Sequence, residues 1–181
     1  MTPLQGTQAP SAWIQKWAPL IAPHGSVLDV ACGGGRHMQY LAEQGHGVTG
    51  IDRSPEAIEA ARAWGHAVLA DIENHAWPLP GLSFDAVVVT HYLWRDLMPT
   101  LIEALAPGGV LLYETFTQGN ETVGKPSRPD FLLRPGELLQ MCGELRVVAY
   151  EDGFLNGPER YIQRIAAVRE RPHHHAARYP L

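Results

Sequence analysis

The sequence predicts a doubly wound α/β domain built on a mostly parallel sheet. Three observations predict it. Short β-rich runs alternate with amphipathic stretches from Ser26 onward, the pattern of βαβ units. Phe84–Thr90 is a near-continuous apolar run, as expected of a strand covered on both faces. A glycine-rich turn, Gly33-Gly34-Gly35, joins an apolar strand to a helical stretch.

Ser11 is a helix N-cap, and Trp13, Ile14, Trp17, Leu20 and Ile21 follow at helical spacing up to the breaker Pro23-His24-Gly25. Trp13 and Trp17, four apart, read first as core packing. Strands are expected at Ser26–Val30, Gly47–Ile51, Ala67–Ala70, Phe84–Thr90, Val110–Thr115, Leu145–Tyr150 and Arg160–Val168. Helices are expected at Arg36–Gln44, Pro55–Trp64 and Arg95–Leu105, with a short one from Pro135 to Cys142. The turn Ala106-Pro107-Gly108-Gly109 ends the helix before the fifth strand. Residues Phe116–Arg134 are rich in Gly, Pro and polar residues without periodicity, so they form either a long loop or a lid.

Composition narrows the function classes. A chain of 181 residues, 45% apolar and 18% charged, fits one soluble globular domain, here residues 1–170, followed by a disordered tail at 171–181. No apolar run approaches the ~20 residues that span a bilayer, and the N-terminus lacks a secretory pattern, so the expected location is cytoplasmic. The two cysteines, Cys32 and Cys142, form no CxxC site and suit a reduced compartment. A formal net charge of −5 lacks the basic footprint of a phosphate-backbone binder. The adjacent His173-His174-His175 lack the spacing of a defined metal site, and no metal is expected.

The strongest functional pattern is Val27-Leu28-Asp29-Val30-Ala31-Cys32-Gly33-Gly34-Gly35-Arg36-His37. Glycines let the backbone turn sharply and approach a ligand, and the helix N-terminus offers free N–H groups. Three acids reinforce it: Asp29 ends the first strand, Asp52 follows the second at about the ~20-residue offset suited to ribose hydroxyls, and Asp71 follows the third. In an open parallel sheet these ends border one crevice. Taken singly, each acid is equally a helix cap or turn residue, Asp71 above all. A dinucleotide would want a third small residue beyond Gly33-x-Gly35, where Met38 stands.

These residues resemble the class I S-adenosylmethionine (SAM)-dependent methyltransferase family, through Val27–Gly35, Ile51-Asp52, Ala70-Asp71-Ile72 and Leu105–Gly109 in order and spacing. The resemblance spans Ser26 to Val168. It implies a Rossmann-like, seven-stranded sheet, mostly parallel with the last strand antiparallel. It also implies SAM as cofactor, with S-adenosylhomocysteine as product. Ala31 departs from the family, which more often carries Gly there; a small residue remains, so the turn is expected to survive. Carried over, the resemblance puts Asp29, Gly33, Gly34 and Gly35 around the methionine portion, Asp52 on the ribose, and Asp71 with Ile72 at the adenine. Arg36 is a candidate for the methionine carboxylate, and Ala31, Arg53 and Thr90 complete the cofactor set.

Methyl transfer from a sulfonium needs alignment and exclusion of water more than acid–base power. Wall candidates are Thr90-His91-Tyr92-Leu93-Trp94-Arg95 and Glu114-Thr115-Phe116, although Trp94 and Phe116 fit the core equally well. His91 is the first candidate general base, balanced against a plain loop-bonding histidine; Tyr92 and Glu114 are weaker catalytic candidates. The fourth strand lacks the Asn/Asp-Pro-Pro-aromatic run of amino-methylating relatives, and no Pro-Cys pair occurs, which counts against nucleic-acid bases. Lys125, Arg128 and Arg134 in the loop could face an acidic substrate. The expectation is a small, anionic acceptor, with a likeness to the tellurite-resistance and thiol methyltransferase branch. The alternatives are an enzyme acting on RNA or protein, and a SAM-binding regulatory module without turnover. Oligomeric state is left open.

Overall fold

The computed structural model describes residues 9–172 and 177–181. Its strands are β1 (Ser26–Val30), β2 (Gly47–Asp52), β3 (His66–Leu69), β4 (Phe84–Thr90), β5 (Leu105–Phe116), β6 (Arg146–Asn156) and β7 (Glu159–Val168). The helices are α1 (Ala12–Trp17), α2 (Arg36–Glu43), α3 (Pro55–Ala61), α4 (Met98–Glu103) and α5 (Glu137–Met141). One sheet runs in the order β3-β2-β1-β4-β5-β7-β6. All neighbours from β3 to β5 pair in parallel, and β7 runs antiparallel to both β5 and β6, the Rossmann-like seven-stranded arrangement that the sequence predicts.

Strand pleating sorts the apolar residues into two cores. In β4, Val87 and Val89 enter a core with Leu28, Leu111, Tyr113 and α4, while Ala86 and Val88 enter the opposite one with Met38, Ile58 and Trp13. Both faces are therefore covered, which is why β4 reads as an unbroken apolar run. Ser11 caps α1 by accepting from the Trp13 N–H at 3.1 Å. Trp13 is buried and donates its indole N–H to the Ile165 carbonyl at 3.1 Å, so it belongs to the core.

The glycine turn carries backbone that L-residues avoid. Ala31, Gly33 and Gly35 have φ of +53°, +54° and +85°. A non-glycine residue in the left-handed region costs about 1–2 kcal/mol. Ala31→Gly is therefore expected to stabilise the fold by about 1 kcal/mol after the entropy of the added glycine is set against it. Thermal unfolding checks this, and a lowered Tm would refute the strain. Met38, the residue that breaks the dinucleotide pattern, is accommodated from the strand side. A Cβ on Gly50 would lie 2.3 Å from the Met38 sulfur, so the small residue sits on β2 instead of on the helix.

Several boundaries differ from the sequence reading. α3 stops at Ala61, and the neighbouring Trp64 packs beside Gly35. β5 begins at Leu105, so the Ala106–Gly109 turn lies inside the strand, where the pairing with β4 shifts register between Phe84 and Ala86. β6 runs on to Asn156, since Glu151–Asn156 pair with β7 through backbone bonds while their side chains stay mostly exposed. That extension buries little, so no alternation marks it. Of the expected tail, Arg171 Nε donates to the Pro107 carbonyl at 3.2 Å and Tyr179 packs against the α1 core, whereas His173–His175 lie outside the described residues. No helix among the described residues is long and apolar enough to cross a membrane.

Candidate active site

The strand order reverses between β1 and β4, and the crevice outside their carboxyl ends is where such sheets bind ligands. A cavity of about 340 Å³ lies there, lined in part by Ala31, Asp52, Arg53, Asp71, Ile72 and Tyr92. A second cavity of about 550 Å³ adjoins it, and His91 and Phe116 line both.

Asp52 sits at the end of β2 because the strand delivers it beside the glycine turn. Its Oδ2 accepts from the Gly33 N–H and its Oδ1 from the Ser54 N–H, each at 2.9 Å. Each oxygen keeps a lone pair for a further donor. Asp71 is differently placed: it accepts from the Glu73 and Asn74 N–H groups at 3.1 and 3.2 Å and from Asn74 Nδ2 at 2.8 Å. The Asn74 bond leads the causes that hold its carboxyl below the ordinary carboxylate range. Asp71 thus caps its own turn while lining the cavity.

Asp29 is 1% exposed, and neither carboxyl oxygen has a hydrogen-bond partner among the described residues. Burial pushes its pKa up to about 8, against the opposing pull of Arg36. A buried carboxyl with unmet acceptors beneath a ligand-facing turn is the arrangement a donor-bearing ligand would complete. At Gly33 an added Cβ would meet nothing within 4 Å, so the backbone there borders open space. Gly35 turns the other way: a Cβ added there would lie 3.1 Å from Ala61 Cα on α3. Of the residues assigned to the cofactor, Arg36 lines the second cavity instead of the first, and Thr90 lies within reach of His37.

His91 has φ +54°, its N–H donates to the Glu114 carbonyl at 2.9 Å, and its ring lies 4.9 Å from that of Phe116. Burial first, then Arg36 and Arg160, lower its pKa against the pull of Glu114, which keeps it neutral at pH 7. The Tyr92 phenol is buried with no hydrogen-bond partner among the described residues, and burial, with the nearby Glu73 charge, raises its pKa, which keeps it protonated. Glu114 is buried in an ion pair: Ser11 Oγ donates to it at 2.9 Å and Arg164 Nη1 at 3.3 Å. Trp94 is 36% exposed, outside the core, and Phe116 lies at the junction of the cavities.

Some site residues escape the sequence reading. His37 Nε2 accepts from the Ser11 N–H at 3.1 Å, while its Nδ1 lies 3.4 Å from the Thr90 hydroxyl. Burial drives its pKa down to about 3, so it is a neutral strut joining α1 to the strand ends. The segment after β5 roofs both cavities, with Pro126 and Phe131 over the first and Lys125 over the second. The fully buried Gln163 anchors it, donating to Thr117 Oγ1 at 2.8 Å and to the Arg134 carbonyl at 2.7 Å. Of the three loop cations Lys125 alone lines either of these two cavities; Arg128 and Arg134 pair with Asp130 and Glu137. No cluster of three or more potential metal ligands occurs among the described residues.

Residues 27–109 match a family model described as a methyltransferase domain. The chain is 36% identical over 104 residues to the malonyl-(acyl-carrier protein) O-methyltransferase of Salmonella typhimurium, an alignment covering 52% of this chain and 40% of that protein. It is 35% identical over 115 residues to the ubiquinone biosynthesis O-methyltransferase of Xanthomonas campestris pv. campestris, covering 56% and 47%. It therefore spans under half the length of either relative. The crystal structure of TehB from Haemophilus influenzae superposes with a TM-score of 0.76 over 92% of this chain and 64% of that one, at 21% identity, a likeness of fold. Sheet order, glycine turn and the matched segment agree with one another: residues 27–109 carry a methyltransferase domain pattern within a fold like that of class I SAM-dependent methyltransferases.

Proposed function

We propose that this chain transfers a methyl group from SAM to a small, anionic acceptor. The observation that carries the reading is the junction at His91 and Phe116, which joins a cavity bordered by Asp52 and Asp71 to one bordered by Arg36, Lys125, Arg160 and Arg164. SAM, when bound, supplies a methyl group already activated by its sulfonium. The residues present fit it: Asp29 offers an unpartnered buried carboxyl whose ionised form an ammonium would stabilise, Asp52 its remaining lone pairs to ribose hydroxyls, and Ile51, Ile72 and Leu93 an apolar wall to a flat base. Pro126 and Phe131 line the cavity from the segment after β5, the side from which a bound cofactor would be shielded from water.

His91 is the proton acceptor in this reading, because it is neutral and stands at the junction. Tyr92 faces the other way, with its phenol under the influence of Glu73, Arg53 and Asp71 on the β3 side. Glu114 positions: it fixes Ser11, and with it α1, against Arg164. Within the family we favour the small-molecule branch, on the fold shared with TehB and the roofing segment after β5. The free, buried Cys32 and Cys142 suit a reducing cytoplasm.

The test is calorimetric titration with S-adenosylhomocysteine, with NAD as control, on wild type and His91→Ala. Saturable binding of the former alone, in both proteins, is expected. Transfer by His91→Ala should be slower by about 10²-fold. Binding of NAD alone would overturn the cofactor class, and equal rates would remove His91 from the chemistry.

A further inference from the structure

The charges around the 550 Å³ cavity divide into those already engaged and those left over. Glu114 is held by Ser11 and Arg164. Arg164 also bonds Glu151 at 2.6 Å and lies over the Trp13 ring at 4.8 Å, so it braces the wall. Arg36 acts on the Asp29 carboxyl. Arg160 and Lys125 remain, and neither forms an ion pair among the described residues. Glu159 is the other carboxylate on the cavity wall.

Arg160 is unusual for an arginine near the surface. Its Nη1 donates to the Pro158 carbonyl at 3.2 Å, but its Nε is buried with no hydrogen-bond partner among the described residues. A buried guanidinium donor left unmet is costly, and the side chain's fork matches a carboxylate. Lys125 is tied to the wall of the same cavity by Asn120, which is itself buried. Asn120 Oδ1 accepts from the Tyr161 N–H at 3.2 Å, next to Arg160, and its Nδ2 donates to the Pro126 carbonyl at 3.0 Å, next to Lys125. One side chain thus ties the roof that carries the lysine to the strand that carries the arginine. The Arg160 charge also reaches His91, so this arginine lies within electrostatic range of the junction.

We infer that Arg160 and Lys125 form an anchor subsite for the carboxylate of a small organic acid, leaving the other end of that molecule at His91 and Phe116. Two cations against one carboxylate leave a single positive charge, which suits a monoanion. The inference rests on the methyl-transfer reading for what the anchored molecule then does, but the binding itself is tested separately.

Benzoate and its neutral isostere benzamide are titrated into the protein, with and without saturating S-adenosylhomocysteine, and followed by ligand-observed NMR. Benzoate is expected to bind saturably and at least about tenfold tighter than benzamide. Arg160→Gln and Lys125→Met should each weaken benzoate by about tenfold while leaving S-adenosylhomocysteine affinity unchanged. Lys125 is exposed, so its variant keeps the test valid if Arg160→Gln does not fold. Equal binding of the two probes, or benzoate binding indifferent to both substitutions, overturns the subsite. Failure of wild type to bind S-adenosylhomocysteine counts against the methyl-transfer reading instead, and the benzoate titration without it still decides the subsite.

Discussion

Asp52→Ala is expected to weaken S-adenosylhomocysteine binding by about 10- to 150-fold, or ~1.5–3 kcal/mol, the range for hydrogen bonds to a charged group. The carboxylate has two tasks. Toward the protein it accepts one backbone N–H on each oxygen, from Gly33 and Ser54, which fixes the glycine turn relative to β2. Toward the cavity, its remaining lone pairs face the position expected for ribose hydroxyls. Asp52→Asn keeps the size and one acceptor oxygen, so it should fall between wild type and alanine. Asp71→Ala makes the contrasting case: its carboxylate is already bonded to its own turn, and a smaller loss is expected. Calorimetry on variants with wild-type circular dichroism measures all three. Unchanged affinity in a folded Asp52→Ala would remove the residue from the site.

The sheet was legible because its code is local. Both faces of β4 are buried, and the result is an apolar run that can be read without knowing its neighbours. The shared position of Asp52 and Asp71 on one cavity wall was legible for a related reason: an open parallel sheet gathers strand ends at one crevice, so position along the chain foretells position in space. What escaped depends on long-range contacts. His37 meets Ser11 across 26 positions, and Gln163 meets Thr117 across 46. Neither residue type announces such a partner. Arg160 sits in a strand whose pairing with β6 continues past the sheet, so nothing in its neighbours' hydropathy marks the cavity it lines. Gly35 was read with the cofactor loop, whereas the side where its Cβ would stand is packed against α3, a contact that only the fold brings about.

Glu137→Gln should destabilise the protein by about 3 kcal/mol, the largest effect on stability expected from a polar substitution here. Glu137 is 5% exposed and accepts from Arg95 Nε at 2.7 Å, Arg95 Nη2 at 2.9 Å and the Arg134 N–H at 2.7 Å. Arg95 continues the knot by donating to the Asp130 and Leu132 carbonyls, both at 2.9 Å, and so pins the roof that holds Phe131 over the first cavity. Removing the carboxylate leaves that guanidinium partly buried without its counter-charge. The Arg95 bond, followed by the bonds from Arg134, pushes the Glu137 pKa from an ordinary 4.5 down to about 2 despite its burial. A carboxyl whose pKa is lowered in the folded state stabilises fully above its unfolded value, and the contribution fades as pH falls through the folded one. Wild type should therefore hold this stability above pH 4.5 and lose it between pH 4.5 and 2, in proportion to a shift worth roughly 3 kcal/mol. Urea unfolding at pH 7 and pH 3 separates this from a packing effect. The gap between wild type and Glu137→Gln should be widest at pH 7 and narrow clearly at pH 3; a gap independent of pH would show that shape, and not charge, holds the roof in place.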